Sequence, residues 1–155
     1  MIANAVSENK EVLSVEEIRL LAEIGFMAAR ARHVTGARQI FEGLSVLRPG
    51  QAFVHLGMAL ASLGAGDPDG AAAMLRDKAL RECPGADDLT VFLAIALKEA
   101  QRGDESRRVL QDMLAQPAAA SPARRLAANL LAGQPGGLPA PLRVPDVKRP
   151  LLRAV

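Results

Sequence analysis

The sequence predicts an all-α protein in which helix–turn–helix units stack into a curved array with a concave face. The first observation is a marker pattern that recurs three times at about 34 residues, a period typical of such stacks. In each unit a small residue is followed four positions later by a bulky apolar residue, and a proline closes the unit. These markers are Ala37, Phe41 and Pro49, then Ala71, Leu75 and Pro84, then Ser106, Leu110 and Pro117. The second observation is composition, because half of the residues are apolar and the strong helix formers Ala and Leu dominate them.

The first unit begins with a helix-start signal at Ser14. The run Ser14-Val-Glu-Glu17 predicts a capping box, in which the two polar side chains each accept a backbone amide hydrogen bond. A long helix follows, and a turn is expected at residues 33–36 with Thr35 as the next N-cap. The second helix ends at Pro49-Gly50. It carries an apolar stripe at helical spacing, formed by Ala37, Ile40, Phe41, Leu44 and Leu47.

The second and third units contain their own breaks and caps. Gly64-Ala-Gly66 is predicted to end one helix, and Asp67-Pro68 to start the next with an N-cap and a proline in the first turn. In the third unit, Asp87 or Asp88 is expected to cap the first helix and Asp104 the second. The three units together therefore predict six helices.

A seventh helix and two flanking segments complete the organisation. The helix is expected to be capped by Ser121, to end at Gly133 and to shield the open end of the stack. The repeat domain then covers residues 14–133, between a flexible N-terminus at 1–13 and a basic, proline-rich tail at 134–155. Five prolines in the tail oppose helix and favour extended chain. The tail is expected to be flexible or, alternatively, to be an anchoring arm or a partner-binding segment.

Charge and composition exclude several classes of function. The net charge is only +2 and much of the basic excess lies in the tail, so no electrostatic binding surface for nucleic acid is expected. Trp and Tyr are absent, so aromatic platforms for base stacking are not expected either. The sequence contains no run of 18 apolar residues free of charge, so no membrane span is expected. The N-terminal residues do not resemble a secretory signal. A single cysteine, Cys83, excludes an intramolecular disulfide. The expected location is the cytoplasm.

Signals for catalysis are weak. His33 and His55 have no cysteine or acid at ligand spacing, and no histidine lies near Cys83 in sequence. The Gly64-Ala-Gly66 run lacks the Lys-Ser/Thr pair of a phosphate-binding loop. No catalytic residue, metal ligand or cofactor is therefore expected, and the chain is predicted not to be an enzyme.

The marker residues resemble those of the tetratricopeptide repeat (TPR), a 34-residue unit of two helices, A and B. In that family a small residue stands at position 8, alanine at 20, a large apolar residue at 24 and proline at 32. The first unit fits without a gap, the second fits if its turn is a little longer, and the third has its proline one place early. The position-8 residues are Gly25, Gly57 and Ala94. The resemblance covers about residues 18–117 and implies a right-handed α-solenoid of three repeats with a concave groove.

A narrower resemblance comes from the second helix of the first unit. The run Ala37-Arg-Gln-Ile-Phe-Glu-Gly-Leu-Ser-Val-Leu47-Arg-Pro, with the Leu56-Gly57 pair that follows, is similar to the first repeat of the cytoplasmic chaperones of bacterial type III secretion. These include the class II chaperones of translocators and the chaperones of needle or filament subunits. The resemblance implies that the partner is a secreted needle, filament or translocator subunit. The chaperone would cover an apolar helix of this partner and so prevent premature assembly.

The groove implied by the family is apolar in this chain. Positions 2, 5, 9 and 12 of each helix A line the concave face, and their apolar members are Ala22, Phe26, Ala29, Val54, Met58, Ala61, Val91 and Ile95. Methionine and small alanines suit an amphipathic helix or an extended apolar segment. The first unit lacks the Lys and Asn of the carboxylate clamp that binds acidic C-terminal peptides. An open apolar strip of this size also requires a partner, because exposed it would promote aggregation.

Two alternatives remain open from the sequence. The eight groove residues could instead be core, covered by the seventh helix, by the tail or by a second copy in a homodimer of the free protein. The alternative function is a general repeat scaffold or a structural component that mediates protein–protein assembly.

Overall fold

A computed structural model describes residues 13–133, and in this range the chain forms seven helices without strands. The fourth helix, α4, is continuous and consists of Pro68–Met74, a π-helical segment Leu75–Ala79 and a last turn Leu80–Glu82. The other helices are α1 (Val15–Arg30), α2 (Val34–Leu47), α3 (Ala52–Gly64), α5 (Asp87–Glu99), α6 (Gly103–Ala115) and α7 (Pro122–Leu131). The segments 1–12 and 134–155, including the predicted flexible N-terminus and tail, lie outside the described residues.

Three of the predicted helix caps are confirmed. The Ser14 hydroxyl accepts the Glu17 amide at 3.2 Å, while the Glu17 carboxylate accepts the Ser14 amide at 2.7 Å, which completes the capping box. These hydrogen bonds hold the pKa of Glu17 below its usual value, because they favour the charged carboxylate. Asp67 accepts the Gly70 amide at 2.9 Å at the start of α4. Ser121 accepts the Arg124 amide at 3.1 Å at the start of α7.

The other predicted caps are wrong by a few residues. Helix α2 begins at Val34, so Thr35 lies inside its first turn and His33 is the N-cap, without a side-chain cap. Asp87 is the first residue of α5, and Asp104 is the second residue of α6. These acidic side chains interact favourably with the positive N-terminal end of the helix dipole, instead of accepting a backbone amide hydrogen bond as an N-cap does. The helices start earlier than predicted because the preceding turns are short.

The three turns between helices A and B have the same shape. Each contains one residue with positive φ, which is Arg32 at 61°, Gly66 at 78° and Gln101 at 62°. The next amide bonds back five residues: His33 N donates to Ala28 O at 2.9 Å, Asp67 N to Ser62 O at 3.0 Å, and Arg102 N to Leu97 O at 2.8 Å. This is the Schellman pattern of a helix C-terminus. The three turns therefore share one backbone conformation, although the residue with positive φ is a different amino acid in each.

The helices pack in the order expected for a stack of helical pairs. Each helix B packs against helix A of its own unit and helix A of the next unit, so that α2 contacts α1 and α3, and α4 contacts α3 and α5. The A helices α1, α3 and α5 also lie side by side. Each unit thus buries its apolar face against both neighbours, as stacked repeats must.

Phe41 fills the junction between the first two units. Its ring is fully buried and lies against both Gly25 and Gly57. A Cβ atom at Gly25 would come within 2.9 Å of the ring, and one at Gly57 would overlap it. Glycine is therefore needed at both 25 and 57, because two A helices approach the same aromatic ring.

The π-helical segment accounts for the irregular spacing of the second unit. Pro84 follows Leu75 by nine residues, whereas Pro49 follows Phe41 by eight. The turns themselves match: the C-caps Arg48 and Cys83 have similar backbone angles, and the glycine after each proline has a φ of 68° or 76°. A π turn encloses one residue more than an α turn, since its hydrogen bond spans five residues instead of four. The A–B turn of the second unit is not longer, contrary to expectation. Counted back seven residues from the positive-φ residue of the turn, Ala59 and not Gly57 stands in register with Gly25 and Ala94, and the one extra residue of the unit lies inside α4.

The seventh helix has the features of a fourth helix A. It packs on both α5 and α6, as α3 packs on α1 and α2. Ala127 is fully buried and follows Leu126 as Gly57 follows Leu56. The helix is followed by Gly133, with a φ of 71°, in the same place as the positive-φ residue of the other A–B turns. It covers Val91 and Ala94 of α5 and so closes this end of the stack, as predicted.

Candidate partner-binding groove

The A helices α1, α3, α5 and α7 form the face on which the groove is predicted. Six of the eight predicted residues are buried among the chain's own helices, namely Ala22, Phe26, Ala29, Val54, Ala61 and Val91. The A helices lie so close together that a small or β-branched side chain at these positions is covered by the neighbouring helix. Only Met58 on α3 and Ile95 on α5 keep part of their surface accessible. The alternative that these residues are core therefore applies to six of the eight.

Phe26 is the largest of the six and is part of the core at the first junction. Its ring centroid lies 4.9 Å from that of Phe41 with the planes tilted by 58°, an arrangement typical of attractive aromatic pairs. Only 7% of the residue is exposed. Its main contribution is therefore to the stability of the first unit, and a partner would contact only its edge.

A cavity of about 250 Å³ opens beside Ile95, between the C-terminal ends of α5 and α7 and the start of α6. Apolar side chains of all three helices line it, together with the exposed side chains of Lys98 and Arg107. The lining residues are Ala94, Ile95, Lys98, Gly103, Ser106, Arg107, Leu110, Leu130, Leu131 and Gly133. This volume is below the range of about 300–1,000 Å³ of small-molecule pockets and suits one or two apolar side chains of a partner.

Sequence reasoning missed this cavity because it treated α7 only as a shield. A signal was present at position 12 of the repeat, where Ala29 and Ala61 of the first two units are replaced by Lys98. The two alanines are buried, whereas Lys98 is exposed, so its long side chain does not fill the space beneath it. Ser106, at the position of Ala37 and Ala71, lies in the cavity wall, where its hydroxyl donates a hydrogen bond to Ala94 O at 2.7 Å.

Ion pairs and hydrogen bonds fix both ends of the last three helices. Arg107, which lines the cavity, forms an ion pair with Asp104 at 3.2 Å on the first turn of α6. At the other end of these helices, Arg124 on α7 donates to the carbonyl oxygens of Leu114 and Gln116 and lies 3.9 Å from Asp87. These contacts hold the α6–α7 connection against the start of α5.

The residues considered for catalysis do not form a reactive group. His55 is buried and its Nε2 atom lies 2.8 Å from the Glu82 carboxylate. The Cys83 thiol donates to Gly50 O at 3.3 Å, and burial, with a smaller contribution from Glu82, raises its pKa. A thiol of raised pKa is a poor nucleophile at neutral pH. Among residues 13–133, no cluster of three or more His, Cys, Asp or Glu side chains could hold a metal ion.

The His55–Glu82 pair predicts a measurable effect on stability. Replacing Glu82 with alanine leaves both ring nitrogens of a buried histidine without a partner, since Nδ1 has none among the described residues. We expect a loss of about 1–3 kcal/mol in the free energy of unfolding, measured by urea titration. The exposed Glu99→Ala variant is the matched control. In the His55→Phe background, where the buried ring has no polar atom, Glu82→Ala should cost much less. An equal cost in both backgrounds would contradict the pairing.

Comparison with known families supports the same repeat. A family model described as a tetratricopeptide repeat matches residues 62–130, from the end of α3 into α7. This segment of the chain is similar to a tetratricopeptide repeat. Comparison with curated proteins and with solved structures finds no match. The matched segment reaches into α7, which agrees with the place of α7 as a fourth helix A of the stack.

The TPR fold is a scaffold for binding other proteins, because stacked repeats present an extended surface built from one face of successive helices. In the part of the chain that the structure describes, no helix is long and apolar enough to cross a membrane. Among the eight predicted groove residues, the accessible apolar surface belongs to Met58 and Ile95, and Ile95 lines the cavity. This surface is the candidate partner-binding site.

Proposed function

We propose that this TPR protein is a cytoplasmic chaperone of type III secretion and not an enzyme. It binds an apolar, helix-forming segment of a secreted needle, filament or translocator subunit and prevents the subunit from assembling too early. The observation that carries the proposal is the cavity beside Ile95, which is lined by apolar side chains together with Lys98 and Arg107. The secretion context rests on the resemblance of the run Ala37–Pro49 to the first repeat of these chaperones.

The geometry suits an amphipathic helix better than an acidic peptide. A partner helix lying across α3 and α5 would contact Met58 and insert one apolar side chain into the cavity. The side chains at the mouth, Lys98 and Arg107, can contact polar residues that flank the inserted side chain. Burial of one aliphatic side chain contributes about 1.5–3 kcal/mol, which sets the scale of the effect of each anchor.

The binding test uses two aspartate substitutions, Met58→Asp and Ile95→Asp. Both sites are half-buried at the surface of the A helices, so a charge there should weaken binding at least about tenfold each while helicity is retained. Val46→Asp is the matched control, since Val46 is 80% exposed on α2. Phe26→Asp is less informative, because it also removes the aromatic pair with Phe41. Binding is measured by titration calorimetry, and helicity by circular dichroism.

The partner is sought by co-expression with small helical subunits encoded near the gene. A chaperone is expected to keep one such subunit soluble in a complex of fixed stoichiometry. A general scaffold or structural component, the alternative function, would leave the solubility of every such subunit unchanged. Undiminished binding by both the Met58 and Ile95 variants would instead contradict the location of the site.

A further inference from the structure

The first residue of helix B differs in size between the three repeats. Helix α2 begins with Val34, α4 with Pro68 and α6 with Gly103. Each stands three residues before the small marker residue of its repeat and seven before the large one, so it lies on the same face of the helix as these buried markers. Val34 and Pro68 are half-buried there, whereas Gly103 has no side chain. The third repeat therefore lacks a side chain that the first two place at the junction with the next helix A.

The missing side chain leaves its space to the cavity. In the first repeat, Val34 lies against the end of the next helix A, since its Cγ2 atom would be 3.6 Å from a Cβ added to Gly64 of α3. In the third repeat, Gly103 lines the cavity together with Leu130 and Leu131 at the end of α7. A Cβ added to Gly103 would meet nothing within 4 Å. The space that Val34 fills in the first repeat is thus open in the third.

The backbone does not require glycine at this position. The positive-φ glycines among the described residues are Gly50, Gly66, Gly85 and Gly133, so Gly103 is not one of them. No neighbouring atom excludes a side chain at Gly103 either, in contrast to the ring against Gly57. Any other residue except proline would reduce the conformational freedom of the unfolded chain at this point. The feature that glycine provides here is the open cavity.

We propose that Gly103 keeps the cavity open for one large apolar side chain of the partner, and that Lys98 selects a partner segment with a carboxylate beside that side chain. This rests on the proposed function, because it specifies the occupant of the same site. The cavity has a volume of about 250 Å³. An apolar cavity of about 150 Å³ is enough for one benzene molecule, so the side chain of leucine, methionine or phenylalanine fits.

Charge favours an acidic residue next to this anchoring side chain. The charged residues that line the cavity are Lys98 and Arg107, and both are cations. Lys98 is exposed and forms no ion pair within residues 13–133. Arg107 pairs with Asp104, but these side chains are 63% and 86% exposed, and a surface pair of this kind contributes little. A carboxylate on the partner would therefore meet two available cations, whereas a basic segment would be repelled.

The test uses two amphipathic helical peptides that share one face of leucines. Glutamates stand one helical turn on either side of the central leucine in the first peptide, and lysines replace them in the second. In NMR titrations of the full chain, the glutamate peptide is expected to shift the amide signals of Ile95, Gly103 and Ser106. It should bind at least about threefold more tightly than the lysine peptide, and this difference should shrink in about 1 M salt. Equal affinities, or no shifts at these three amides, would overturn the proposal.

Replacing Gly103 with valine, the residue at the same position of the first repeat, tests the apolar part of the proposal. The glutamate peptide should bind at least about tenfold more weakly, because its anchor can no longer enter, while helicity and Tm are retained. Gly36→Val is the matched control, since an added Cβ in the first turn of α2 also meets nothing within 4 Å. Gly103→Ala, which adds a single methyl group, should weaken binding by a smaller factor. Unchanged affinity in both Gly103 variants would contradict the role of this glycine.

Reversing one charge tests the selection of an acidic segment. Lys98→Glu is expected to abolish the preference for the glutamate peptide over the lysine peptide, because it removes the unpaired cation from the cavity. Lys78→Glu makes the same change on the exposed surface of α4 and should keep the preference. If the Lys98 variant still prefers the glutamate peptide, this residue does not select the partner.

Failure of this proposal and failure of the proposed function give different results. A co-expressed subunit whose binding is lost in Ile95→Asp but unchanged in Gly103→Val would overturn the present proposal and leave the chaperone function standing. Binding of the glutamate peptide at the cavity, without any subunit kept soluble, would support the present proposal and contradict the chaperone function.

Discussion

Replacing Gly57 with alanine is expected to destabilise the protein by about 1–3 kcal/mol, although alanine is the better helix former by up to about 1 kcal/mol. The cause is the ring of Phe41, which an added Cβ would overlap. The ring cannot easily move, because Phe41 is fully buried and also packs on Gly25 and Phe26. Thermal and urea unfolding followed by circular dichroism measure the effect.

The chain itself offers a control and a rescue for Gly57→Ala. Gly43→Ala makes the same change within α2, where an added Cβ meets nothing within 4 Å, so this variant should be neutral or slightly stabilising. Phe41→Leu should restore much of the loss in Gly57→Ala, since the other two repeats have Leu75 and Leu110 at this position. Equal effects of alanine at Gly57 and Gly43 would show that the ring does not limit the junction.

Deleting Lys78 is expected to leave the fold intact, whereas deleting Gly43 should abolish it. Lys78 is exposed within the π-helical segment. Its deletion would place Leu75 and Ala79 three residues apart. This is the spacing of Phe41 and Leu44 in the first repeat. In α2 there is no extra residue to remove. Loss of Gly43 turns the rest of that helix by about 100° and takes Leu44 out of the core.

The deletion pair is measured by helicity and by the cooperativity of thermal unfolding. The Lys78 deletion should retain a cooperative transition with a Tm within a few degrees of the parent chain. The Gly43 deletion should lose the transition, since a marginally stable fold does not tolerate the loss of several buried side chains. If the Lys78 deletion unfolds the protein, the π-helical segment is required by the fold and is more than an accommodated extra residue.

Much of the fold could be predicted because the repeat markers lie where two helices meet. A small residue at Gly25 or Gly57 opposite a large one at Phe41 is a steric requirement, and such requirements leave a period in the sequence. The caps at Ser14, Asp67 and Ser121 could be predicted for the same reason, since a side-chain oxygen must accept an amide three residues later. The starts of α2, α5 and α6 could not, because their preceding turns are specified by backbone angles at Arg32, Gly85 and Gln101.

The candidate site was predicted less well than the fold. Met58 and Ile95 keep part of their surface accessible, but position within the repeat does not measure how closely neighbouring A helices pack. That spacing buries Ala22, Val54 and Val91. The cavity beside Ile95 also depends on α7, whose Leu130 and Leu131 lie more than thirty residues away in sequence. A pattern within one helix carries no information about a wall supplied by another.

The sequence by itself determined the number of repeats, their helical pairs and the residues that allow the pairs to stack. These features follow from local hydrogen bonding and from contacts between residues at a fixed spacing. Only the tertiary structure decided where the extra residue of the second repeat lies and which apolar positions stay accessible among residues 13–133. These depend on the distance between whole helices, since a side chain is core or surface according to what packs against it.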